Sequence, residues 1–310
     1  MNTLREAVTD YLAMRRSLGF KLRVAGIRLF DFVSFLEKKG ACHITISLAL
    51  EWAQLPSSVQ PQEWAQRLSF VRGFARYRSA TDSRTEIPPN ALLPYRAKRA
   101  RPYLYTDQEV EQLLKAALNL YRPNGLKRWT YYCLLGLLAV SGLRISEAMG
   151  LKTEDVDLNN GVLTVRVTKF GKSRLVPLHT STQQVLSDYK LRRDQFLNGR
   201  PASYFFSSER GTRLDEWDVR RTFYLLSRQI GLRGLDSSYG PRLHDFRHRF
   251  ATETLLQWYR NGENVESRLP VLSTYLGHVN VSDTYWYLTA CPELMGLAVK
   301  RLEQRWEVKS

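Results

Sequence analysis

Apolar residues in the first 80 positions recur at helical spacing. Leu4, Val8, Tyr11 and Leu12 mark a first helix, with Gly19 as its stop. A second runs from about Val24 to Lys39, carrying Ile27, Phe30, Phe32, Val33, Phe35 and Leu36, and stops at Gly40. Ser47 is the expected cap of a third, Leu48 to Leu55. Pro61 opens a fourth that reaches Tyr77 and sets Arg67, Arg72, Arg76 and Arg78 among Trp64, Phe70, Phe74 and Tyr77. The pattern predicts a small helical bundle with basic faces over residues 1–82.

Residues 83–102 read differently. Prolines and the cluster Arg96, Lys98, Arg99 and Arg101 predict an extended basic linker, either a solubilising hinge or a strap along a phosphate backbone. A second domain, 103–310, opens with Thr106-Asp-Gln-Glu109, the form of a capping box, before Val110, Leu113, Leu114 and Leu118. Trp129 to Val140 reads as a buried helix. Val162 to Thr168 then alternates apolar and polar positions, residues 169–173 turn, and Arg174-Leu-Val-Pro-Leu178 returns as a strand whose Pro177 predicts a sheet edge. Helices follow at 215–230, 244–260, about 266–276, 281–288 and from Pro292 onward. Trp258 to Glu263 reads as a surface insertion between two of them. The expected fold is mainly α with a small β-sheet: a helical bundle, then a mixed α/β domain.

Composition narrows the function. Lys and Arg number 46 against 30 Asp and Glu, a net charge of +16, which favours a polyanionic partner. Three scattered cysteines give neither a disulfide framework nor a zinc spacing. The longest apolar run, Cys133 to Val140, is too short to span a bilayer, and the N-terminus carries no hydrophobic signal segment. A Gly-rich phosphate loop and H-E-x-x-H are both missing, so no cofactor and no metal are expected.

The chemistry-bearing residues lie in the second domain: Gly142-Leu-Arg144-Ile-Ser-Glu147, His244-Asp-Phe-Arg247-His248, Leu276-Gly277-His278, and Tyr287 nine residues after His278. In order and spacing these motifs, with a lysine-bearing hairpin between the first two, resemble the tyrosine recombinases, the integrase and Xer-like site-specific DNA recombinases. The match covers about residues 103–290. The N-terminal bundle resembles the family's SAM-like core-binding domain in size, charge and pattern only.

That resemblance implies a catalytic set. Arg144 and Arg247 would clamp the scissile phosphate, whose developing charge two guanidiniums can hold in fixed fork geometry. Tyr287 would be the nucleophile, His244 a proton acceptor or a hydrogen-bond donor, and His278 a further donor. Lys169 would be the general acid, with Lys172 its competitor because Phe170 stands where the family often has glycine. Glu147 would orient Arg144. Tyr285 stands two residues from Tyr287, about 200° away on a helix, so only one of the two can face the phosphate. His248 and Asp245 read as packing or capping residues.

Arg67, Arg72, Arg76, Arg96, Lys98, Arg99, Arg101 and Lys172 are the expected DNA contacts. The partners implied are double-stranded DNA at a specific site and other protomers, four in a synapse. The segment 292–310 would dock either on a neighbour or on its own domain. A cytoplasmic, nucleoid-associated location and action on a mobile element or plasmid follow. A type IB-like topoisomerase and a non-catalytic DNA-binding accessory protein of the same fold are the alternatives.

Overall fold

In the computed structural model, residues 3–93, 101–120, 125–166, 173–237, 239–289 and 292–307 are described. The chain divides into two compact units, Met1–Ala100 and Arg101–Ser310.

In the first unit, α1 (Leu4–Ser17), α2 (Arg23–Lys38), α3 (Ile46–Gln54) and α4 (Pro61–Arg78) form the expected bundle. Each turns an apolar stripe inward: Leu4, Val8 and Leu12 from α1, Leu29, Phe32, Val33 and Leu36 from α2, Trp52 from α3, and Leu68, Val71 and Phe74 from α4. The cap of α3 is Thr45 rather than Ser47. Its extended backbone lets the hydroxyl accept from the Leu48 N–H at 3.2 Å, so the helix starts earlier, at Ile46.

The expectation of a basic face on α4 is corrected at Arg67 and Arg78. Arg67 is buried, with its guanidinium 3.8 Å from the centroid of the Trp52 ring and one N–H donated to the Trp52 carbonyl at 3.0 Å. Arg78 is buried beside Asp82. Residues just beyond α4 fold back on the bundle. The Glu86 N–H donates to the Ile44 carbonyl, and Arg72 donates to the carbonyls of Pro88 and Pro89, both at 2.8 Å.

The second unit is built around α6 (Leu126–Ser141), buried on nearly every side. It packs against α5 (Asp107–Leu118), α8 (Thr180–Leu197) and α10 (Asp245–Arg260). The Thr106–Glu109 capping box forms at the start of α5, with both reciprocal hydrogen bonds present. Among the described residues three strands pair antiparallel, β1 (Val156–Asp157), β2 (Val162–Val165) and β3 (Arg174–Pro177), in the order β1-β2-β3. Val162 pairs with Pro177 and Val165 with Arg174, so Pro177 lies on an edge strand as expected. Leu163, Val165 and Val176 point to the core.

The remaining elements are α7 (Ile145–Ala148), α9 (Glu216–Gln229), α11 (Val265–Leu276), α12 (Ser282–Tyr285), a 3-10 turn over Trp286–Thr289, and α13 (Pro292–Glu307). Trp258 to Arg260 is the last turn of α10, not an insertion. Asn261 ends that helix, Gly262 takes a positive φ of 70°, and α11 starts after the Asn264 cap. On α13, Leu294 and Leu297 pack against the cluster on α10 and α11, while Met295, Val299 and Leu302 face solvent. Among the described residues no helix is long and apolar enough to cross a membrane.

Candidate active site

Three turns carry the site. The first follows α6. Gly142 caps that helix in the left-handed region at φ +60°, and a Cβ there would stand 2.6 Å from Cδ1 of Phe250. This turn places Arg144 immediately before α7. The second follows α11. Gly277 caps it at φ +67°, and a Cβ there would meet Nη1 of Arg174 at 2.9 Å. The third is the start of α10, with His244 at its cap and Arg247 in its first turn.

These turns bring the two predicted arginines together. Arg247 is fully buried. Its guanidinium donates to the main-chain carbonyl of Gly142 at 2.9 Å and to that of Leu276 at 2.5 Å. Arg144 donates through Nη2 to the Gly277 carbonyl at 3.2 Å and through Nη1 to Glu147 at 2.7 Å. Burial and the like charge of Arg144 lower the Arg247 pKa to about 10, and the phenol of Tyr287, within hydrogen-bonding reach, opposes that shift.

Tyr287 lies in the 3-10 turn after α12. It is 3% exposed, against 52% for Tyr285, so the two tyrosines face opposite environments. Its ring stacks on His278, with centroids 6.0 Å apart and planes at 16°, and touches the rings of His248 and Trp286. His278 shares a 2.8 Å hydrogen bond between its Nδ1 and the hydroxyl of Thr284, a fully buried residue. That bond fixes the imidazole plane against Tyr287.

His244 is exposed as a residue, but its ring packs perpendicular to the ring of His248, with centroids 4.8 Å apart. Protein displacing water around the ring and the guanidiniums of Arg247 and Arg144 lower its pKa to about 4, against the opposing pull of Asp245. His244 is therefore held in its neutral form at neutral pH.

Glu147 joins the first turn to the sheet. It accepts from the Arg144 N–H at 3.0 Å, from Nη1 of Arg144, and from both terminal nitrogens of Arg174, at 3.1 and 2.8 Å. Burial alone would raise its carboxyl, but the bonds to Arg174 and Arg144 outweigh that and hold it at about 2. Asp245 sits just inside α10 rather than at its cap. It accepts from the backbone N–H and guanidinium of Arg242.

Arg144, Arg247, His278 and Tyr287 thus gather in one cluster, with His244 linked through the ring of His248. Lys169 and Lys172 lie outside the described residues, as do Arg96, Lys98 and Arg99. Arg76 and Arg101 are exposed, and Arg72 is held against the segment after α4. Sequence reasoning missed Thr284 and the anchoring by Arg174. The signal for Arg174 lay in its position five residues after Lys169, used only to count the hairpin. Among the described residues no three His, Cys, Asp or Glu side chains gather as a metal-ligand set.

The phage integrase family model matches residues 104–293. Over 99% of each chain the sequence is 59% identical to the protein named integrase/recombinase y4rB of Sinorhizobium fredii. It is 32% identical to the tyrosine recombinase XerD of Pseudomonas aeruginosa, over 77% of this chain and 74% of that protein. Two solved structures share the fold at 18% identity and a TM-score of 0.67. One is the XerH site-specific recombinase bound to a palindromic difH substrate after cleavage, covering 91% of this chain and 80% of that one. The other is the Tn1549 transposon integrase with transposon right-end DNA, covering 98% and 99%. A lambda integrase tetramer on a Holliday junction matches at 0.63 and 18% identity, over 92% and 77%.

Proposed function

Since the chain belongs to the phage integrase family of tyrosine recombinases, enzymes that cleave and rejoin DNA, we propose that Tyr287 is the residue that becomes joined to the cut strand. The protein is a site-specific integrase/recombinase. The observation that carries the assignment of Tyr287 is its burial against His278 with its phenol at the Arg247 guanidinium.

In the proposed reaction the Tyr287 oxygen attacks the scissile phosphorus and gives its proton to neutral His244. Arg144 and Arg247 bind the non-bridging oxygens, where negative charge accumulates, and His278 donates a further hydrogen bond. The phosphorus–oxygen bond to the 5′ side breaks, and the departing oxygen takes a proton from Lys169. The products are a 3′-phosphotyrosine and a free 5′-hydroxyl. Attack by the 5′-hydroxyl of another strand reverses each step and releases Tyr287. The phosphate ester is conserved throughout, so no external energy source is consumed.

The substrate is double-stranded DNA at a specific site, and four protomers bring two such sites together. Action on a mobile element or plasmid places the enzyme at the nucleoid. The test uses nicked duplexes tiled across the DNA that flanks this chain's own gene. A denaturation-resistant protein–DNA adduct is expected, and Tyr287→Phe should bind the same duplex and form none. A bound duplex that yields no adduct would overturn the reading in favour of an accessory binder. Relaxation of supercoiled DNA irrespective of sequence would favour a topoisomerase.

A further inference from the structure

Arg174 has no part in the chemistry described above, yet it is the most heavily committed arginine around the site. Its guanidinium forks onto both oxygens of Glu147, and its Nε donates to the Tyr275 carbonyl at 2.6 Å. Its side chain is buried, as is that of Glu147. Gly277 lies so close against it that even a methyl group would collide. Arg174 starts β3, the strand returning from the hairpin in which Lys169 is placed by sequence. One side chain therefore ties β3 to α7 and to the last turn of α11, just ahead of His278.

The charges set a second requirement. Glu147 is bonded to two guanidiniums, those of Arg144 and Arg174. A buried carboxylate facing Arg144 alone would cancel its positive charge and hold that guanidinium back from a phosphate. With Arg174 also present, the trio carries a net charge of +1, and Arg144 keeps attraction to spare for an anion.

We propose that Arg174 is a positioning residue for strand cleavage, which neutralises Glu147 so that the charge of Arg144 remains available to the scissile phosphate. This rests on the cleavage reaction proposed above. It extends that reaction to a residue whose guanidinium is spent on Glu147 and on the Tyr275 carbonyl.

The test compares the rate of covalent adduct formation on the same nicked duplexes, with full-length protein. Arg174→Gln should bind the duplex and slow adduct formation by about 10²-fold, the scale of losing one charge-stabilising group. Adding Glu147→Gln removes the carboxylate that the lost cation had neutralised, and should restore roughly tenfold of that loss. A merely structural role predicts the opposite, since the double variant loses more bonds than the single one. Arg174→Lys keeps a cation beside Glu147 but loses the fork. It should be roughly tenfold slow, and it decides the matter if Arg174→Gln does not fold.

Wild-type rates in Arg174→Lys and Arg174→Gln, or a double variant no faster than Arg174→Gln, would overturn the proposal. Failure of the underlying reaction is separately visible, because the unaltered protein would then form no adduct at all.

Discussion

His244 and Glu147 carry the residue-scale lesson, because their surroundings move both pKa values downward. The folded pKa of His244 is about 4 against an ordinary 6.5, so its protonation favours the unfolded chain. Stability associated with it is complete above pH 6.5 and declines as pH falls toward 4. Glu147 follows at lower pH: its contribution is present above about 4.5 and is lost toward pH 2. Urea midpoints measured across pH 7 to 3 should therefore fall in two stages, and His244→Asn should flatten the upper one. An unchanged upper stage in that variant would refute the assignment. The motif residues were legible in the sequence because their order and spacing resemble those of the tyrosine recombinases. The role of Arg174 was not. A bond between β3 and α7 spans 27 positions, and nothing local in either segment announces it.

At the scale of elements, α6 organises the larger unit. Leu134, Leu135 and Leu138 are fully buried where α5, α8 and α10 converge. Leu138→Ala leaves a cavity three residues before the Ser141-Gly142 turn, and should cost about 2–5 kcal/mol in a urea unfolding experiment. A loss below about 1 kcal/mol would mean that the packing around α6 is looser than described. Most helices were readable because their apolar stripes are regular and their starts explicit, as at the Thr106 cap and the first-position Pro61. The helix α8 was not. Its inward side includes Tyr189 and Arg193, so a buried arginine interrupts the apolar pattern. That guanidinium donates to the carbonyls of Tyr204 and Phe205, a solution visible only in three dimensions. The strand β1 is two residues long, too short for any period to register.

Across the whole molecule, the first unit encloses one apolar cluster and the second unit two, none shared between the units, which is why the shift from helical bundle to mixed α/β could be read along the chain. The sequence left two readings for the C-terminal segment. In the structure one side of α13 buries Leu294 against its own unit, while Met295, Val299 and Leu302 remain at the surface. A substitution on the outer side thus tests assembly without stripping the inner one. Leu302→Glu should leave binding to a single DNA site unchanged and abolish cooperative binding to a paired site, as read by gel mobility. Retained cooperativity would show that protomers meet through some other surface.

The carbonyls that receive Arg144 and Arg247 belong to the main chain, at Gly142, Leu276 and Gly277. Main-chain oxygens are the same whatever side chains surround them. The grip on Arg247 therefore depends on the path of two turns and is insulated from substitutions that leave that path intact, whereas Arg144 also leans on the Glu147 carboxylate. Side chains elsewhere on this unit can change while that buried guanidinium is carried along in the same place.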